Sequence, residues 1–183
     1  MVYLFLADGF EEIEALTPVD LLRRAGVEVV TVGITGKTVT GSHGMAVSAD
    51  VSADEALAML KGGKSPEMIV LPGGMPGAAT LDGSSVVETF IDAAEKANAY
   101  IAAICAAPMI LGKRGILKGK NATCFPGFEE YLDGAIVGGR AVRDGQVITG
   151  IGMGAALEFG IEIVAALRGR EEADKLFLAV LAK

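Results

Sequence analysis

Apolar positions fall along this chain in two alternating rhythms. Val2 to Ala7 is an unbroken apolar run of strand length, and Asp8-Gly9 ends it. Glu11 to Ala25 then places Ile13, Leu16, Val19 and Leu22 at the spacing of one helical face. Acidic residues crowd the start of that segment and Arg23-Arg24 its end, with Gly26 as the stop, as the helix dipole favours. Pro18 lies inside it and predicts a kink. Val27 to Val32 reads as a second strand, so the opening is strand, helix, strand, a parallel pair with a right-handed crossover.

The rhythm continues downstream. Thr38 to Val47 alternates weakly about Gly41 and predicts a small hairpin. Helices are expected over Ala53 to Leu60, Ser84 to Asn98, Ala106 to Lys113, Ala155 to Leu167 and Glu171 to Leu181. Core strands are expected over Met68 to Leu71 and Tyr100 to Ile104, with short strands at Ala141 to Val142 and Gln146 to Thr149 around the turn Asp144-Gly145. Strands alternating with helices predict a doubly wound α/β sandwich with a mostly parallel central sheet. No linker, repeat or low-complexity stretch interrupts it, so residues 1–183 are read as one domain.

Composition narrows the function classes. The net charge of −7 and the lack of any basic cluster longer than Arg23-Arg24 argue against nucleic acid and anionic membranes as partners. No segment approaches the roughly 18 apolar residues of a membrane span. The first residues read as a strand, not a signal peptide, and the two cysteines are expected as free thiols in the cytoplasm. The single histidine, His43, sits in a Gly-flanked turn as a surface residue by default, and no metal-ligand spacing is evident. GGKS at Gly62–Ser65 lacks the glycine a phosphate loop needs at Ala58 and precedes a strand. Gly150, Gly152 and Ala155 imitate a dinucleotide fingerprint with no following β-α-β unit. Neither supports a nucleotide cofactor.

Ligands of an open parallel sheet bind beyond the carboxyl ends of its strands. Three post-strand loops then stand out: Asp8 to Glu14, Pro72-Gly73-Gly74, and Cys105. Cys105, in IAAICAAPMIL, falls at a strand-to-helix elbow between alanines, where a side chain projects into the cleft and the helix start favours a thiolate. Glu14, on the first turn of the first helix, should face the same edge. A carboxyl beside a thiolate is expected to stay protonated, donate to Cys105 and act as acid or base. Glu11 and Glu12 read as solvated first-turn charges. Amides of Gly73 and Gly74, with that of Ala106, could meet a developing oxyanion. Cys124 reads as a half-buried structural thiol.

Taken together, DGFEEIEALTPVDLLRRAG, LPGGMPGA, AAICAAPMIL and TGIGMGAALEFGIEIVAAL resemble the ThiJ/PfpI superfamily. The resemblance is to the branch of the Parkinsonism-associated protein deglycase and its bacterial and plant relatives, and it spans nearly the whole chain in the family's order. It implies a flavodoxin-like sandwich, a homodimer, Cys105 as nucleophile, Glu14 as its proton-sharing partner, and oxyanion amides at Gly74 and Ala106. It also implies that Arg24 lies near the dimer interface and the site as an anion binder, and that His43 approaches a partner's site. Phe125 replaces a histidine that several members carry before a proline near the nucleophile, which removes a Cys-His pair and disfavours an amidase or peptidase. The leading expectation is therefore cofactor-independent conversion of small 2-oxoaldehydes such as methylglyoxal, or their early thiol and amine adducts, to hydroxy acids. The alternative is a redox-sensing, stress-protective protein acting through oxidation of Cys105.

Overall fold

The structure, a computed structural model, describes residues 1–182. It opens with β1 (Val2–Leu6), α1 (Glu12–Arg24) and β2 (Val29–Gly33), followed by a hairpin of β3 (Thr38–Thr40) and β4 (Ala46–Ser48). The short β5 (Val51–Ser52) leads into α2 (Ala53–Lys61), then β6 (Met68–Leu71), α3 (Gly77–Asp82) and α4 (Ser85–Lys96). Next come β7 (Tyr100–Ile104), α5 (Pro108–Lys113), β8 (Asn121–Ala122), β9 (Ile136–Val137), β10 (Ala141–Asp144) and β11 (Val147–Gly150). Two helices close the chain, α6 (Ala156–Arg168) and α7 (Arg170–Ala179).

Seven strands form one sheet in the order β10-β11-β7-β6-β1-β2-β5. Every pair is parallel except β10 with β11. This is the expected doubly wound architecture, of flavodoxin-like type. The unbroken apolar strands follow from burial on both faces, since alternate side chains of a strand enter opposite layers. In β1, Val2, Leu4 and Leu6 join the layer beneath α1 and α6, where Leu21, Leu22, Phe159 and Val164 pack. Tyr3 and Phe5 point the other way, into a layer with Phe90, Ile91, Ile110 and Leu111 from α4 and α5. The Phe90 ring meets both, with centroids 4.7 Å from Tyr3 and 5.1 Å from Phe5.

Strand order decides where a site can form. From β1 the chain moves to β2 on one side; β6, β7 and β11 then fill the other. The sheet's order therefore reverses between β1 and β6, and the loops leaving these two strands diverge at their carboxyl ends, the place where such sheets open a crevice.

Several boundaries differ from the sequence reading. Helix α1 runs through Pro18 as a single helix, and α3 and β5 were not anticipated. Helix α5 begins at Pro108, not Ala106, because residues 105–107 form a turn in which the Ala107 N–H donates to the Ile104 carbonyl. No helix among the described residues is long and apolar enough to cross a membrane.

Candidate active site

The loops after β1, β6, β7 and β11 meet over the crevice. Cys105 follows β7 with φ of +65°, a left-handed conformation that costs a non-glycine residue strain and is held by its surroundings. Its N–H donates to the Gly150 carbonyl at 2.8 Å, and its carbonyl accepts from the Phe125 N–H at 2.8 Å. The turn is thus pinned on both sides of the thiol. Ala106 and Ala107 are buried behind it, so larger residues there would have no room.

Glu14 reaches the thiol from the first turn of α1. Its carboxyl is 1 % exposed and within hydrogen-bonding reach of Cys105. The Gly73 N–H donates to Glu14 Oε2 at 3.0 Å. Gly73 has to lack a side chain: a Cβ there would stand 2.5 Å from Cys105 Cβ and 2.6 Å from Glu14 Oε2. Gly74 has φ of +85° and folds onto the Gly9–Glu11 backbone. The Glu11 N–H closes that junction on the Gly73 carbonyl at 2.9 Å. The amides of Gly74 and Ala106 both donate toward the Cys105 sulfur.

Electrostatics couples the two acids. Burial raises the Glu14 carboxyl to about 7, against the pull of its hydrogen bonds to Cys105 and Gly73. Burial, followed by the adjacent Glu14 charge, pushes the Cys105 thiol up to about 12, opposed by the Gly74 and Ala106 amides. The expectation of a resting thiolate favoured by a helix start is therefore corrected. The helix starts at Pro108, three residues past the thiol, and burial, with the Glu14 charge after it, outweighs the amides that favour a thiolate. The pair surrenders one proton near neutrality and strongly resists surrendering the second.

The other predicted residues scatter. Phe125 sits at the rim, half exposed, beside Gly152. Arg24 lies ten residues along α1 from Glu14, about 15 Å at the helical rise, and pairs with Asp20 at 2.6 Å. Within one chain it does not reach the site. His43 is exposed, as expected, but its Nδ1 lies 2.9 Å from Glu12 Oε2.

Glu12 overturns its reading as a solvated charge. It is 1 % exposed, and its oxygens accept from the His43 N–H at 2.8 Å, the His43 ring and the Met45 N–H. Burial pushes its pKa up, but these hydrogen bonds, the His43 ring first, outweigh it and hold the carboxyl at about 2. Glu11 is not a free charge either: its carboxylate caps α1 by accepting from the Glu14 N–H at 2.7 Å. Glu11, Glu12 and His43 bring ligand atoms within 4.8 Å of one another, a grouping that sequence separation hides. Glu12 is already satisfied there by the hairpin. Cys124 is buried, not half-buried, and burial pushes its thiol up to about 11.

Comparison with known proteins places this geometry. Residues 1–166 match the sequence profile of the DJ-1/PfpI family. The chain belongs to that family. Among DJ-1/PfpI relatives, Protein dj-1beta of Drosophila melanogaster is 35% identical over 185 residues, covering 96% of this chain and 94% of its own. The glutathione-independent glyoxalase DJR-1.2 of Caenorhabditis elegans is 33% identical over 174 residues, covering 91% and 87%. The solved structure of oxidized Toxoplasma gondii DJ-1 superposes with a TM-score of 0.91 at 32% identity, covering 99% of this chain and 97% of that one. The mostly parallel seven-stranded sheet flanked by helices matches the DJ-1 structures over nearly their whole length, so fold and family agree.

Proposed function

We propose that this protein converts small 2-oxoaldehydes, or their early thiol and amine adducts, to 2-hydroxy acids through Cys105 and Glu14, with no cofactor. The observation that carries the reading is the buried carboxyl held within reach of the elbow thiol across side-chain-free Gly73. The name of the Caenorhabditis elegans relative, a glutathione-independent glyoxalase, supports the same class of reaction.

With methylglyoxal, the singly deprotonated pair passes the thiol proton to Glu14 as Sγ bonds to the aldehyde carbon. The former carbonyl oxygen takes up the negative charge, facing the Gly74 and Ala106 amides, and is protonated to a hemithioacetal. Glu14, having given its proton to that oxygen, removes the hydrogen from the carbon and delivers it to the neighbouring carbon, while the hydroxyl proton passes to the ketone oxygen through an enediol. The ketone becomes an alcohol and the thiol-bearing carbon a thioester. Water then attacks the thioester, releasing lactate and the free thiol. The sum is aldehyde plus water to hydroxy acid, with no external oxidant or reductant. An aldehyde suits a site without histidine, because no amine leaving group needs a proton.

Lactate formation from methylglyoxal tests the proposal in the parent protein, Cys105→Ser and Glu14→Gln. Loss of turnover in both variants is expected. Turnover near the parent rate in Cys105→Ser would sink the mechanism.

A second reading is favoured by one observation, the oxidized state named for the Toxoplasma gondii DJ-1 structure. Under it, Cys105 senses peroxide, and Glu14 donates to the oxidised sulfur. We also infer a homodimer working in the cytoplasm. Ile13 and Leu16 on the outer face of α1, and Met45 on the nearby hairpin, are apolar and exposed in the single chain.

A further inference from the structure

We infer that the substituent next to the reacting carbonyl binds in an apolar subsite made by Phe125, Met153 and Met75, so that aryl- and branched alkyl-substituted 2-oxoaldehydes are preferred over methylglyoxal. This inference rests on the function proposed above and names the substrate class within it.

Three of the chain's exposed large apolar residues belong to the segments that build the site: Met75 at 51%, Phe125 at 47% and Met153 at 55% exposure. Each is attached to backbone that builds the site. Met75 follows Gly74, whose amide donates toward the Cys105 sulfur. Phe125 is tied by its own N–H to the Cys105 carbonyl. Met153 follows Gly152 and directs its amide at the Glu14 carboxyl.

The placement of Phe125 is decisive. The position a Cβ would take on Gly152 lies 3.3 Å from Phe125 Cδ2 and 3.9 Å from Glu14 Oε1. Because residue 152 has no side chain, the phenyl face and the catalytic carboxyl border the same free space. A planar apolar group bound through Cys105 can lie against the ring while its carbonyl carbons stay beside Glu14. Offset stacking and burial of the ring would then strengthen as the complex forms.

Charge complements this assignment by what it withholds. Arg140, just before β10, is committed to Glu158 Oε1 at 2.9 Å and to the Gly154 carbonyl. Arg24 is paired with Asp20 at the far end of α1. The carboxyl beside the sulfur, Glu14, repels anions once ionised, and the Glu11 charge acts on Glu14 from the cap of α1. Neither Arg140 nor Arg24 of the same chain is then free to receive a carboxylated or phosphorylated oxoaldehyde.

Two readouts test the subsite together. The first is the kcat/KM ratio of phenylglyoxal to methylglyoxal. The second needs no turnover: the alkylation rate of Cys105 by phenacyl chloride relative to chloroacetone, each normalised to N-acetylcysteine and read by peptide mass spectrometry. In the parent protein both ratios should favour the aryl compound by about tenfold, and Phe125→Ala should bring both close to one. A parent alkylation ratio near one, or one that Phe125→Ala leaves unchanged, overturns the subsite. Aryl-selective alkylation lost in Phe125→Ala, but without turnover of either aldehyde, upholds the subsite and overturns the proposed reaction.

Discussion

A buried carboxyl against a thiol sets the pH response of the site. Glu14 is raised to about 7 by burial, so the pair binds its last readily lost proton near neutrality. Turnover should rise with pH through about 7 and level off above it, and Glu14→Gln should abolish both the limb and the activity; a kcat/KM profile checks this. For stability the sign is opposite. The folded state keeps a proton that the unfolded chain has released above about 4.5, so Glu14 weakens the fold as pH rises from there toward 7. Gly73→Ala should remove activity more than about tenfold while costing about 1–3 kcal/mol of stability, measured by urea unfolding, because its Cβ would enter the space between Cys105 and Glu14. Cys105 and Glu14 were legible in the sequence through the elbow pattern and the first-turn position. The burial of Glu12 was not, because an acidic first turn looks the same whether its charges meet water or a hairpin thirty residues on. Nor was the raised thiol, which depends on burial and on how closely a carboxyl from the first helix approaches.

Among elements, the β3–β4 hairpin is held by two carboxylates, Asp8 at Thr40 of β3 and Glu12 at the turn. Glu12 accepts backbone N–H groups from the hairpin's turn, and Gly41 is so close to it that any Cβ would strike its side chain. Glu12→Ala should cost about 1–3 kcal/mol, since it strands these donors, and should speed amide exchange at His43 and Met45 before the sheet is affected. The carboxyl, held at about 2, contributes stability above about 4.5 that is lost as pH falls toward 2. His43, raised first by its hydrogen bond to Glu12, contributes below about 6.5, and that contribution disappears as pH rises through its folded value. The anchor should therefore be firmest between these limits. Periodicity predicted the hairpin, the long helices and the core strands. It missed α3, whose GAATLD carries too few apolar positions to show a face, and β5, two residues long. It placed the start of α5 two residues early because AAP is as compatible with a tight turn as with a helix.

Across the whole molecule, two free thiols differ in access. Cys124 is 3 % exposed and Cys105 only partly buried. Stoichiometric peroxide should modify Cys105 first, which peptide mass spectrometry would show; prior reaction at Cys124 would count against the redox reading. If Ile13 and Leu16 are covered by a second copy, the parent should sediment as a dimer and Leu16→Asp should shift it toward monomer. Architecture was the most legible layer of all, since a parallel sheet buried on both faces writes itself as short unbroken apolar runs between amphipathic helices. The crevice itself was legible only as a rule about strand ends. Which loops converge there depends on a strand order that neighbouring residues do not encode. That order has a consequence for the newly made chain. Glu14 leaves β1, Gly73 leaves β6, Cys105 leaves β7, and the Gly150 carbonyl that fixes the cysteine turn closes β11. Until these segments have emerged and docked, Cys105 lacks the surroundings that pin it against Glu14, so the thiol–carboxyl pair is itself a product of tertiary folding.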